Sequence, residues 1–495
     1  MPRSTYGHPQ PSSPRASCRS RKPRVSYGQP PPSLPRTSRA SRRGATKNKA
    51  SKVPAAFTPR TKKLKVSKRK GPLAQEKRSV TCQLRKNKRC TDDGTDGPCD
   101  HCKKTMNKAR SFLEICCRDQ LEDAILVRRC NGRFNQDEAM FINVDWMPGS
   151  CRQTMLFIWN LAGYGPIYSR GPLEVVIREY IPRDGSSNTT RSAWMTDDGK
   201  INQVEQPPYA IEDREALVLQ IKEYFLSGLH IEALERWVGD RIQHDPIAQL
   251  TYAEVARLRH SVPLDDDNLL DLAMQLQWLS VVSQGYGSVW SNNIPGIQEY
   301  DYRKMGRSAY EAYNRNSRDK PIPIFIGQQM DVAVLTCLKE IQRLFLKKLK
   351  QRVFSAGLKP WYELHLALYV ILWNLDYIHT GAERYIVAKT GTMTHSGTNN
   401  VVPRQMNKWI ESTRVLLCHW RCVLRTFRPF ILARENPEEL SVRGRLDAEG
   451  FQYVMNIVNI LDRPGGNGLP VVSESPAHHS MTSEWTRKLF EDAGA

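Results

Sequence analysis

The first 75 residues contain no Asp or Glu and 20 Lys and Arg, and the first acidic side chain is Glu76. Pro, Ser, Arg and Lys dominate this stretch, and large aliphatic residues are scarce. Such a segment cannot bury enough apolar surface to offset the entropy of ordering its backbone. Residues 1–75 therefore read as a disordered basic arm, and the fold has to come from the rest of the chain. The whole chain is +22, so the arm holds nearly all of the excess charge. A polyanion, with nucleic acid as the first candidate, is the partner such a charge fits. Within the arm, Lys62, Lys63, Lys65, Lys68, Arg69 and Lys70 have the make-up of a nuclear import signal. The prolines at 9, 11, 14, 23, 30, 31 and 32 oppose the amphipathic helix that a mitochondrial transit peptide would need.

Cysteine is distributed as unevenly as charge. Seven of the twelve, Cys82, Cys90, Cys99, Cys102, Cys116, Cys117 and Cys130, fall between residues 82 and 130. The N-terminus has no apolar run of the secretory kind, so a reducing compartment is expected. There, clustered cysteines bind metal more often than they pair. Cys337, Cys418 and Cys422 sit instead in apolar helix-like runs, where a free Cys behaves as a small hydrophobe.

The apolar spacing beyond the cysteines is mainly helical. Leu217, Ile221, Tyr224 and Phe225 recur at helical intervals, as do Leu269, Leu272, Ala273, Leu276 and Leu279 behind the acidic run Asp265–Asp267. Val334, Leu338, Ile341, Leu344 and Phe345 continue the pattern, and further helices are expected over 361–388, 404–427 and 447–462. Pro172–Pro182 reads as a strand closed by the turn at Asp184-Gly185. The most apolar stretch, Trp361–Ile378, contains Glu363, His365, Asn374 and Asp376, which favours a buried core helix over a membrane span. The expected fold class is mainly α: a disordered basic N-terminal arm, a small zinc-cluster module, and a large helical domain with a minor β or irregular segment. The expected division is the arm at 1–75, the cysteine module at 76–118, an irregular connecting region with a short strand at 119–210, a helical regulatory or interaction domain at 211–465 and a C-terminal tail at 466–495. Leu121, Ala124, Ile125 and Val127 give at most a short helix, and no sustained heptad follows the cysteines.

Cys99-x2-Cys102 has the spacing that lets two thiolates of one turn grip a single metal. Cys82 and Cys90 lie upstream, and Cys116 and Cys117 lie downstream. Thr91–Pro98 between the halves is built of turn residues. Arg85, Lys86, Lys88 and Arg89 place four positive charges between two candidate ligands. The arrangement resembles the fungal Zn2Cys6 binuclear cluster, whose pattern is Cys-x2-Cys-x6-Cys, a Pro-containing loop, Cys-x2-Cys and a last Cys. The resemblance matches Cys90 to the third ligand, Pro98 to the loop proline, Cys99 and Cys102 to the fourth and fifth, and Cys116 or Cys117 to the sixth. In the first half this chain departs from the pattern, because Cys82 stands where two cysteines are expected. If Cys82 is the first ligand, Arg85 occupies the second position; if it is the second, Ser79 occupies the first. Two zinc ions, one, or none remain open. The resemblance continues through Cys117–Asp123, Val176–Pro182 with Trp194, and Leu416–Trp420 followed by Phe427–Phe430.

The resemblance implies a nuclear, zinc-dependent regulator that binds double-stranded DNA and reads a CGG-type triplet in the major groove. Arg85 or Lys86 would donate to guanine O6 and N7, with Lys88 and Arg89 on phosphate. The helical domain would supply regulation and protein partners. Enzymatic motifs are weak: Gly163-Tyr-Gly165 and Gly285-Tyr-Gly287 are too short for phosphate loops, and neither H-E-x-x-H nor G-x-S-x-G occurs. His365, His379 and His419 lie in apolar helical runs and read as core or surface histidines. No enzyme is expected. A nuclear interaction protein whose degenerate cluster no longer reads DNA is the alternative, with a helical enzyme behind a targeting arm as a third reading.

Overall fold

A computed structural model of the chain describes residues 80–84, 99–100, 102–103, 117–128, 144–161, 165–167, 171–182, 190–226, 229–261, 268–291, 293–301, 304, 318–355, 360–389, 401–424, 427–462 and 484–494. All of them belong to one unit, Lys68–Ala495. The arm expected over 1–75, with its import cluster, lies outside the described residues. The rest is mainly α, as the periodicity indicates.

Among the described residues there are nine strands, six before residue 214 and three between residues 282 and 324. β1 (Gln153–Leu161) is the centre of a five-stranded antiparallel sheet with β2 (Gly165–Pro166), β3 (Leu173–Glu179), β6 (Tyr209–Ile211) and β7 (Tyr286–Val289). β4 (Arg191–Met195) pairs with β5 (Ile201–Glu205), and β8 (Tyr300–Asp301) with β9 (Arg318–Asp319). β3 alternates strictly: Leu173, Val175 and Ile177 are buried while Glu174 and Val176 are exposed. That is the signature of a strand with one face on a core, and it is the strand that sequence patterning marks. β1 is instead buried through its last five residues, because β3 and β7 flank it and helices cover it. A strand buried on both faces loses its alternation, so its sequence does not announce it. At the edge, α6 (Ile324–Phe354) extends the sheet with a side chain. Gln329 accepts from the Ile211 amide at 2.7 Å and donates to the Ile211 carbonyl at 3.2 Å.

The helical body is built round α5 (Leu269–Val282), of whose fourteen residues twelve are buried. A helix apolar on all sides has to be central, and α5 packs against both α6 and α7 (Trp361–Lys389). Its N-cap is Asn268, whose side chain accepts from the Leu270 amide at 3.0 Å; Asp265–Asp267 lie outside the described residues. Before it come α2 (Arg214–Leu226), α3 (Leu229–Ile242) and α4 (Pro246–Ser261). After α7 come α8 (Val402–Leu424), α9 (Pro429–Glu435), α10 (Pro437–Gly444), α11 (Ala448–Leu461) and α12 (Glu484–Asp492). α12 falls in the stretch read from sequence as a tail. It docks Trp485, Leu489 and Phe490 on the body, and the Trp420 indole donates to the Leu489 carbonyl at 3.1 Å. Three apolar positions in nine residues are too few to signal a helix by periodicity alone.

Gly285 and Gly287 serve packing. A Cβ on Gly285 would lie 2.3 Å from the Asn160 carbonyl oxygen and 2.5 Å from the Trp159 indole nitrogen. The turn from α5 into β7 therefore passes directly over β1, and Trp159 donates to the Val282 carbonyl there at 2.9 Å. Among the described residues no helix is long and apolar enough to cross a membrane.

Candidate metal site

The site begins with α1 (Val80–Leu84), a five-residue helix that carries Cys82. Cys99 and Cys102 sit on a single turn. The Cys102 amide donates to the Cys99 sulfur at 3.5 Å, and the Lys103 amide donates to the Cys99 carbonyl at 2.8 Å. This is what a Cys-x2-Cys spacing does: the backbone of the second residue turns back onto the thiol of the first. Cys82 joins the pair from the other side, with its sulfur 3.7 Å from that of Cys99. The three sulfurs lie within 4.8 Å of one another, and all three side chains are buried. Zinc–sulfur bonds of about 2.3 Å in tetrahedral geometry put ligand sulfurs about 3.8 Å apart. The 3.7 Å between the Cys82 and Cys99 sulfurs is the size two ligands of one zinc ion would show, and the trio could hold a metal ion.

Cys90 and Cys116, which the resemblance places in the same cluster, lie outside the described residues. So do Arg85, Lys86, Lys88 and Arg89, and Lys62, Lys63, Lys65, Lys68, Arg69 and Lys70. Cys117, which the resemblance offers with Cys116 for the sixth position, is not one of the trio. It packs with Val80, Cys418 and Cys422 in a small buried cluster edged by Phe354. Its carbonyl accepts from the Val80 amide at 2.9 Å, so it backs α1 from the side of the helical body. A hydrogen bond from the Cys418 thiol holds Cys117 below the ordinary thiol range, against the opposing effect of burial. Cys418 is pushed up, first by that bond, then by its bond with Cys422 and by burial.

From Cys117 the chain continues as a strap across the body. After a single 3-10 turn, Leu121–Asp123, it runs extended. Asp119 pairs with Arg414 of α8 at 2.9 Å, and Glu122 pairs with Lys350 of α6. The Ile125 amide donates to the Ser412 hydroxyl and the Leu126 amide to the Gln342 carbonyl oxygen, both at 2.7 Å. The Trp409 indole donates to the Val127 carbonyl at 3.3 Å. At the end, Arg128 is gripped by the Asp331 carboxylate and by Ser283, whose carbonyl accepts at 2.6 Å and whose hydroxyl accepts at 3.2 Å. These partners lie far down the chain from the strap, and each is an ordinary residue on a helix or at its end. No local pattern could have picked them out.

The histidines carry no such chemistry. His365 is enclosed by Trp420, Phe430 and Phe490, and burial pushes it down to about 3. Burial likewise pushes His419 down to about 4, and its Nδ1 lies 2.8 Å from the Val415 carbonyl. Both are neutral core residues at physiological pH. His379, half-buried, sits 3.6 Å from Glu383 one turn along α7.

Comparison with known proteins now places the body. A family model described as KpeA transcription factor matches residues 154–441. The match runs from β1 into α10 and leaves the cysteine segment outside it. The Satratoxin biosynthesis SC3 cluster transcription factor SAT20 of Stachybotrys chartarum is 21% identical over 370 residues, covering 73% of this chain and 48% of that protein. The chain thus spans about half the length of the curated relative it matches. No solved structure matches.

Proposed function

The chain belongs to the KpeA transcription factor family, and from that premise we propose that it is a nuclear, zinc-dependent regulator that binds specific DNA sequences through residues 76–118. The observation that carries this reading is the trio of buried sulfurs of Cys82, Cys99 and Cys102, set at the spacing of zinc ligands. Cys90 or Cys116 completes the first zinc's coordination, and a second zinc needs the remaining members of the expected set. The metal supplies folding free energy to a segment with too little apolar surface for a core of its own.

On that scaffold, Arg85 or Lys86 donates to guanine edges of a CGG-type triplet, while Lys88 and Arg89 meet phosphate. The arm adds sequence-independent attraction, and Lys62 to Lys70 serve import. The helical body is the regulatory half. The presence of a basic, thiol-rich segment on a body with a transcription-factor family match favours this reading over an enzyme.

Elemental analysis of the purified full chain tests the metal. At least one zinc per chain is expected, and Cys99→Ser or Cys102→Ser should lose it. Selection from a random DNA pool tests the reading, with a G-rich triplet expected among the enriched sites. A zinc-free protein that enriches no sequence would overturn the proposal and favour the interaction-protein alternative.

A further inference from the structure

We propose that Arg343 and Lys347, on the exposed face of α6, hold the phosphate backbone of DNA beside the triplet that residues 85–89 read. The inference rests on the DNA-binding reading above and extends it to the helical body. Residues 119–495 contain more acids than cations, yet one stretch of α6 reverses the sign. Lys339, Arg343, Lys347, Lys348, Lys350 and Arg352 fall within fourteen residues, with Glu340 the one acid among them. Ile341, Phe345, Leu349 and Val353 of the same stretch are buried against the body, so the cations line the faces left over.

Several of these charges are already met. Lys350 pairs with Glu122 of the strap, and Arg352 pairs with Glu363 of α7 at 3.3 Å. Lys348 is half-buried. Arg343 and Lys347 are different. Both are exposed and stand one turn apart on the same face, and neither pairs with an acid among the described residues. A helix C-terminus attracts cations through its dipole, but that field fades within the last turn. Lys347 lies about two turns before Phe354, the end of α6, and Arg343 about three. The dipole does not account for them.

Position names the polyanion. Phe354 packs on the cluster that buries Val80 of α1. α1 carries Cys82 and ends at Leu84, and Arg85 is the next residue in the chain. Lys347 and Arg343 sit about 10 and 16 Å from Phe354 along the helix axis. At about 3.4 Å per base pair, that is about three to five base pairs from the end of α6 that holds α1. A duplex carries one phosphate charge per about 1.7 Å of its axis, so two cations one turn apart meet several. Phosphate contacts position a protein and carry no sequence information. This face therefore seats the body on the duplex and leaves the choice of triplet to residues 85–89.

The test is the salt dependence of DNA binding by the full chain and by its double variant Arg343→Gln, Lys347→Gln. The probe is a duplex carrying the selected site with about ten base pairs, one helical turn, on either side. Each phosphate contact contributes about 0.9 to the slope of log affinity against log salt. The variant's slope should be shallower by about 1.8, which shrinks the parent's advantage about tenfold between about 50 and 200 mM salt. On a duplex trimmed to the site the two proteins should bind alike, which also shows that the variant is folded. Arg191→Gln with Lys200→Gln removes the same charge from the exposed β4–β5 hairpin and should keep the parent's slope. Equal slopes for parent and double variant on the long duplex would overturn the inference. So would a difference that persists on the trimmed duplex, or one that the hairpin variant reproduces. A parent that enriches no sequence refutes the DNA-binding reading and this inference together, whereas a parent that enriches a triplet with a slope the double variant matches refutes this inference alone.

Discussion

Arg128→Ala is the perturbation that isolates the strap. Arg128 and Asp331 are nearly buried, at 12% and 16% side-chain exposure. The guanidinium also donates to the Ser283 carbonyl at 2.6 Å. Truncation takes those donors from a carboxylate and a carbonyl that sit out of bulk water. Removing one partner of a buried, hydrogen-bonded pair costs about 3–5 kcal/mol. Every one of these contacts joins the strap to α5 or α6, so the loss falls on the equilibrium in which the strap lifts off. At about 1.4 kcal/mol per factor of ten, that is at least a hundred-fold rise in local opening. The amides of Ile125 and Leu126, which donate to Ser412 and Gln342, report it directly. Native-state hydrogen exchange of the full chain should show both amides exchanging at least about a hundred-fold faster, with those of α5 little changed. Acceleration below about threefold, or an equal acceleration across α5, would refute the claim that Arg128 is the strap's anchor.

Other consequences are open to direct measurement. Lys86→Ala should cost about 1–3 kcal/mol at one G·C position and relax preference there; equal weakening on all sequences in a binding titration would make Lys86 a phosphate contact instead. The folded His365 and His419 lie at about 3 and about 4, below the unfolded value of about 6.5, so the unfolded chain binds the extra protons. Their contribution is whole above about pH 6.5 and is lost as pH falls toward about 4 and below, and at pH 5 each costs about 2 kcal/mol. Urea midpoints from pH 8 to pH 5 should fall accordingly, and His365→Leu should flatten the slope; an unchanged slope would mean that His365 does not titrate. Gly285→Ala should destabilise by about 1–3 kcal/mol, because its Cβ meets the Asn160 backbone at 2.3 Å; a thermal midpoint equal to that of the parent would show that the turn yields.

Whatever depends on neighbours in the chain was legible in the sequence. An arm of 75 residues without an acid, a Cys-x2-Cys turn, a helix of Leu269, Leu272, Leu276 and Leu279, and the alternation of β3 all follow from local spacing and charge. The convergence of Cys82 with Cys99 and Cys102 joins residues that the cysteine spacing singles out as candidate ligands. The strands flanking β3 were not legible, since burial on two faces erases the period-two pattern. Nor was the placing of Cys117. The resemblance offers it, with Cys116, as a sixth ligand beside Cys99 and Cys102, yet in the fold it packs in a cluster with Cys418 and Cys422 of α8. Spacing measures only how far a short segment can reach. Which of two thiol groups a cysteine faces is decided by the strap, and the strap is held by Ser283, Asp331, Gln342 and Ser412. Those contacts exist only once three distant helices, α5, α6 and α8, have packed, so only tertiary structure could decide them.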